Sequence, residues 1–196
     1  MTVVLTPPVG APPRLRWTTD EFHATCDAGV FEGRNVILVD GEILEMPAPN
    51  PDHNSASELT RAALAVAFGS SFWVRHEMAL DLSLDTDPVP DLAVVPGTPR
   101  TVRNQPGTAL LVVEVSDSTL AYDRGEKSNL YAEGGIADYW VLDLNGRQLL
   151  VFRDLQPDPA AARGFAYRTR LILGPTDGVS PLAAPQASIT VADLLP

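Results

Sequence analysis

One hexapeptide limits this chain more than any other segment. Leu110-Leu111-Val112-Val113-Glu114-Val115 carries a carboxylate inside an otherwise unbroken apolar run. Runs that are apolar at every position, rather than at alternate ones, belong to strands covered on both faces. A second run, Leu92-Ala93-Val94-Val95, follows directly on Asp91. Two such strands need layers above and below, so the chain is expected to build a central sheet with helices packed against it. An ionised carboxylate is costly to bury unless something compensates it. A divalent cation would do so, since Mg²⁺ takes one or two carboxylates together with water and a substrate phosphate. The competing reading places both acids at strand ends in water, or in a structural network.

The rest of the chain supplies the covering layers. The first sixteen residues contain Pro7, Pro8, Pro12 and Pro13 and read as a mobile arm, leaving 17–196 as one domain. Thr18 with Glu21 forms a capping box for a helix over 19–28, which Gly29 stops. Asp40-Gly41 between two apolar arms marks a hairpin over 35–46, ended by Pro47, Pro49 and Pro51. Residues 53–68 repeat apolar positions at helical spacing. Residues 73–84 alternate Val74, His76, Met78, Leu80, Leu82 and Leu84 against mostly polar neighbours, which predicts one long half-buried strand. A helix is expected over 123–133, with Asp123 and Glu126 capping its start and Gly134-Gly135 ending it. Asn145-Gly146 predicts a second hairpin between 139–144 and 148–152. Residues 156–164 read as a loop, 165–173 as a strand and 189–195 as a strand or short turn. This order predicts an α/β or α+β fold, a mixed sheet flanked by helices.

Charge and cysteine content narrow the function. Lys and Arg total 14 against 25 Asp and Glu, a net charge of −11. That excludes a protein that coats DNA with a basic surface, although a small basic cleft inside an acidic shell stays open. A lone cysteine, Cys26, cannot form an intrachain disulfide and suits the reducing cytoplasm. With three histidines beside it, a structural zinc site of Cys/His type is not expected. No apolar stretch approaches the roughly 18 residues of a membrane span, and the first residues lack the pattern of a signal peptide. Lys127 is the sole lysine among 13 arginines. Lys and Arg are poor substitutes where a compact ammonium is needed. On the helix after the Glu114 strand, Lys127 could reach back to stabilise phosphate charge. Alternatively it is a solvated residue paired with Asp123 one helical turn earlier.

Taken together, these motifs are similar to a known pattern. Pro90-Asp91 followed by Glu114-Val115-Ser116 resembles the PD-(D/E)XK nuclease signature, with Ser116 where the lysine would stand. The longer set is more specific: 112–119, then Tyr122-Asp123-Arg124-Gly125-Glu126-Lys127, Leu130-Tyr131-Ala132, Gly135-Ile136 and Asp138-Tyr139-Trp140-Val141-Leu142-Asp143. Upstream, Val39-Asp40-Gly41-Glu42-Ile43 and the loop prolines before His53 fit as well. The chain is identified, over about residues 18–153, as a member of a bacterial family of restriction-endonuclease-like proteins whose lysine has moved from the strand to the following helix.

The resemblance implies a restriction-endonuclease-like core and a Mg²⁺-dependent endonuclease, with Mn²⁺ as an alternative ion and DNA as the expected nucleic acid. Asp91 and Glu114 would be metal ligands, the Val115 carbonyl a third oxygen, and Lys127 the replacement for the missing strand lysine. Glu42 is the candidate outer acid, or else an exposed hairpin residue. His53 could face the cleft, or be a helix-terminal histidine satisfied by backbone. Tyr131 and Trp140 read as packing residues rather than base-stacking platforms. A homodimer is expected, because cutting both strands of a duplex with one site per chain needs a pair of sites. Binding is expected to need metal and to fall steeply with salt. The other reading is a catalytically silent nuclease fold acting as an interaction or regulatory module.

Overall fold

The computed structural model describes residues 12–196. Its frame is a six-stranded sheet in the order β3 (Phe72–His76), β4 (Leu92–Pro96), β5 (Leu111–Ser116), β6 (Tyr139–Asp143), β7 (Gln148–Pro157) and β8 (Phe165–Leu173). Only β5 and β6 run parallel; every other neighbouring pair is antiparallel. The two runs singled out in the sequence are therefore adjacent strands at the sheet centre. All six residues of β5 are buried.

Side-chain alternation divides the core in two. Leu92, Val94, Val113 and Val115 point to one face, where they pack with Ala56, Leu64 and Phe68 of α2 (Pro51–Phe68) and with Val191 and Leu194 of a C-terminal 3₁₀ turn. Ala93, Val95 and Val112 point to the other face. There they meet Leu130, Tyr131 and Ala132 of α4 (Ser128–Glu133) and Ile37 and Val39 of a separate hairpin, β1 (Val36–Val39) with β2 (Glu42–Glu45). The strand period of two assigns Asp91 and Glu114 to this second face. The remaining elements are α1 (Thr19–Asp27), the single turn α3 (Leu120–Tyr122), and the short pair β9 (Gly178–Val179) and β10 (Ile189–Thr190). Thr18 and Glu21 do form the capping box of α1. Of the expected N-terminal arm, residues 1–11 lie outside the described residues. Within 12–16, Arg16 hydrogen-bonds the carbonyl of Asp40. Among the described residues no helix is long and apolar enough to cross a membrane.

Two local expectations are corrected. The long strand over 73–84 ends at His76. Glu77 turns to a φ of 50° and donates its amide to the Asp91 carbonyl at 3.0 Å. Pro88 and Pro90, which have no N–H to donate, lie where the partner strand would have to continue. The helix over 123–133 begins at Leu120, passes through a widened π turn at Asp123–Lys127 and continues as α4. Asp123 does not cap it. Its carboxylate accepts from Thr119 Oγ1 at 2.5 Å and faces Lys127 instead. The expected hairpin at Asn145-Gly146 does form, between β6 and β7. The loop spans four residues, and Arg147 takes the left-handed position at φ 47°. Asp143 draws the loop in by accepting from the Gly146 amide and from Gln148 Nε2, both at 2.8 Å.

Candidate active site

The site forms where the ends of β4 and β5 meet the start of α2 and the π turn. β4 and β5 pair Leu92 with Val113. Carried one residue further, that antiparallel register sets Asp91 opposite Glu114, the arrangement in which side chains on one face come closest. Asp91 Oδ2 accepts from the Val115 amide at 2.6 Å, standing in for a backbone partner beyond the end of β4. One residue on, the same register sets Pro90 beside Val115. Proline brings no N–H to the Val115 carbonyl.

The N-terminus of α2 brings in His53. Asn50 caps the helix by accepting from the His53 amide at 2.9 Å, and Pro51 occupies the first turn. The histidine then turns toward the strand ends, with Nε2 3.2 Å from Asp91 Oδ1. Asp91's hydrogen bond is the chief reason the imidazole is held above its usual pKa, outweighing burial. For Asp91 itself burial acts upward. The hydrogen bond and charge of His53, the charge of Lys127 and the Val115 amide together act against it and leave the carboxyl below its ordinary range.

Opposite, the π turn delivers Lys127, Asp123 and Tyr131 onto Glu114. In a regular α-helix, residues i and i+8 diverge by about 80° around the axis. The wider π turn takes up that divergence, so Asp123, Lys127 and Tyr131 share one line facing the sheet. Lys127 Nζ lies 2.8 Å from Glu114 Oε2 and 3.3 Å from Asp123 Oδ1. The Tyr131 hydroxyl donates to Glu114 Oε1 at 2.6 Å. Glu114 is 1% exposed and Lys127 7%. Burial pushes the Glu114 carboxyl up to about 8, with Lys127 opposing and Asp91 and Asp123 adding to the rise. Lys127 is held protonated: burial disfavours its charge, but the surrounding carboxylates more than offset this.

His53, Asp91, Glu114, Val115 and Lys127 thus line one cavity of about 380 Å³. The solvated reading of Lys127 is overturned, because its ammonium sits among buried carboxylates rather than in water. Glu42 is corrected as well. It is half-exposed on β2, pairs with Arg16 at 3.2 Å, and lines a separate hollow of about 300 Å³ with Asp40, Tyr122 and Arg163. Tyr131 and Trp140 are fully buried, so neither can stack on a base. Tyr131 nonetheless does more than pack, since its hydroxyl holds Glu114. Three acids of the cavity, Glu77, Asp117 and Asp123, escaped the sequence reading as site residues. Asp123 could have been found from its spacing to Lys127; Glu77 and Asp117 carry no local signal.

A family profile described as "Putative restriction endonuclease", the Uma2 family, matches residues 19–192. The chain belongs to the Uma2 family. Its fold agrees with that of a solved structure, a putative nuclease belonging to DUF820 from Anabaena variabilis ATCC 29413. The two superpose with a TM-score of 0.67 over 91% of this chain and 97% of the other, at 16% sequence identity. This Uma2 chain therefore has the restriction-endonuclease-like architecture expected from its motifs. No curated protein matches it.

Proposed function

We propose that this protein is a metal-dependent nuclease of the cytoplasm that hydrolyses phosphodiester bonds of DNA, with Asp91, Glu114 and Lys127 as its reacting centre. One observation carries the reading: two acids on neighbouring central strands, facing each other, with a buried lysine against one of them. The donor set is two carboxylates and the Val115 carbonyl, hard oxygens suited to Mg²⁺ or Mn²⁺. Among the described residues no group of three His, Cys, Asp or Glu side chains is placed to hold a metal ion, so any ion here would rest on two carboxylates, a carbonyl, water and substrate. Bound there, the ion would stabilise phosphate charge as a Lewis acid and make water a better nucleophile.

The chain's own groups divide the remaining work. Water adds to phosphorus, one P–O ester bond breaks, and the leaving oxygen takes up a proton. Lys127 Nζ presents its N–H donors to the non-bridging oxygens as their charge grows. Tyr131 fixes one oxygen of Glu114, which keeps the other turned toward Lys127. His53 holds Asp91 in position and adds positive charge beside the incoming phosphate while protonated. Severing both strands of a duplex would call for two copies of the chain, most simply a two-fold homodimer.

Labelled DNA incubated with Mg²⁺ or Mn²⁺, and with chelator, tests this reading. Cleavage should require the cation. Lys127→Ala should slow it by about 10²–10³, the range for a single electrostatic stabiliser. Lys127→Arg should restore little, since a planar guanidinium does not copy a compact ammonium. A silent module would show no metal-dependent cleavage in the parent protein.

A further inference from the structure

Resting on that nuclease reading, we infer that the site takes an unpaired nucleotide strand rather than a phosphate within an intact duplex. The reacting groups lie at the floor of the cavity. Glu114 and Lys127 are almost wholly buried, and the Asp91 side chain is 16% exposed. A phosphodiester must therefore descend between walls to reach them. One wall is apolar and comes from the hairpin and the segment after it: Ile37, Met46, Pro47 and Pro49, joined by Val89. The segment is tied across the cleft by Asn50 Nδ2, which donates to Asp117 Oδ2 at 2.7 Å. Asp117 is held in turn by Asn145, whose Nδ2 donates to its Oδ1 at 3.1 Å.

The volume, about 380 Å³, lies near the lower end for pockets that enclose one small molecule, about 300–1,000 Å³. It suits a nucleotide or two, while a duplex phosphate arrives with its stacked and paired neighbours attached. The charge pattern agrees. Duplex binding draws on many Lys and Arg contacts to successive phosphates. Among the described residues the cavity is lined by one lysine and no arginine, and that lysine already faces two carboxylates. Glu77 and Asp117 add negative charge to the lining. Such a cleft repels a ladder of phosphates. It can still accept one phosphate on a cation while a base or sugar lies against the Met46–Pro49 wall, where apolar contact replaces charge.

Two measurements on the full chain test this. Cleavage with Mn²⁺ is compared on a single-stranded oligonucleotide, the same sequence as blunt duplex, and a duplex bearing an unpaired 3′ arm. Binding of the same three DNAs is followed by fluorescence anisotropy with Ca²⁺ in place of Mn²⁺. The single strand and the unpaired arm should be cut and bound at least tenfold better than blunt duplex. Met46→Asp, which puts a carboxylate on the apolar wall, should lower single-strand binding about tenfold while the circular dichroism spectrum is retained. Equal or better handling of the blunt duplex overturns the inference even if the protein is a nuclease. A single-strand preference in binding with no cleavage of any DNA upholds the inference and removes the nuclease reading. Absence of both binding and cleavage overturns the two together.

Discussion

Glu114 is the residue whose surroundings set the behaviour of the site. With its carboxyl raised to about 8 by burial, a proton occupies it through the acidic and neutral range. A divalent cation must displace that proton. Cation affinity is therefore expected to climb with pH, by at most about tenfold per pH unit below about pH 8, and then to level off. Calorimetric titrations with Mn²⁺ from about pH 6 to pH 9 would reveal this; a flat profile would mean that Glu114 is already ionised at pH 6. The sign for folding is the opposite. The folded state holds a proton that the unfolded chain releases near the ordinary value of 4.5, so this group's contribution to stability falls as pH rises from there through about 8. Lys127 carries a second consequence. As an exposed partner of Asp123 it would matter to folding by only about 0.3–0.5 kcal/mol. In the structure it separates two buried carboxylates. Breaking a buried pair by removing one partner costs about 3–5 kcal/mol. Lys127→Ala should thus lose up to about 3 kcal/mol in urea denaturation above about pH 8, where Glu114 is ionised, and less at lower pH, where Glu114 already holds a proton. A loss under about 0.5 kcal/mol would return the lysine to a solvated role.

Two glycines separate the demands of two elements. Gly41 closes the β1–β2 hairpin at φ 69°, next to Asp40 at φ 51°, the pair of left-handed residues that a tight Asp-Gly turn needs. The tip is clamped from outside. The Trp17 amide donates to the Gly41 carbonyl at 2.9 Å, and the Gly41 amide donates to the Asp85 carbonyl at 2.8 Å. A Cβ at Gly41 would stand 2.9 Å from the Arg16 Cβ and 3.0 Å from the Trp17 carbonyl oxygen. Gly125 sits in the π turn with a negative φ and nothing within 4 Å of an added Cβ. Gly41→Ala should lower stability by more than about 1 kcal/mol, whereas Gly125→Ala should be neutral or raise it by up to about 1 kcal/mol. Thermal melts of the two variants give the comparison, and equal effects would contradict it. Asp138 shows how much of the family motif is structural. It is fully buried and accepts from Trp140 Nε1, the Arg153 guanidinium and the Leu182 amide, tying β6 to β7 and to the C-terminal segment.

For the molecule as a whole, net charge and cavity lining act together. A chain of charge −11 repels phosphate at long range, and its cleft offers little basic surface in return. The requirement for metal expected from the sequence stands as a prediction, but the steep salt dependence does not follow from a site with one lysine. Each phosphate neutralised on a single strand contributes a slope of about −0.7 in log K against log salt. A slope between about −0.7 and −1.4 is expected in the presence of Ca²⁺. Anisotropy titrations at several salt concentrations would settle it, and a slope near −5 would point to a basic surface elsewhere.

Sequence alone determined the layers and the two acids. Short runs that are apolar at every position and bounded by turn signals read as central strands, and a carboxylate within or beside one stands out, so β4, β5, Asp91 and Glu114 were legible from one-dimensional pattern. The lysine was legible too, but as a position and not as an environment. Whether Lys127 meets water or carboxylates depends on the π turn. Through that turn Lys127 and Tyr131 both reach Glu114, and Asp123 faces Lys127. Tertiary structure alone decided the rest. The alternation over 73–84 fails as a strand because the segment folding back against it holds Pro88 and Pro90, which cannot donate to a ladder, and that pairing is not visible in the alternation itself. Glu42 leaves the site because it stands at the turn end of its hairpin, over a separate hollow, while Ile37 and Met46 at the open end reach the cleft. Glu77, Asp117 and the Met46–Pro49 wall enter it from three separate segments. Local sequence records which residues can form a strand or a turn. It does not record which remote backbone will lie alongside, and the shape and charge of this cleft depend on that pairing.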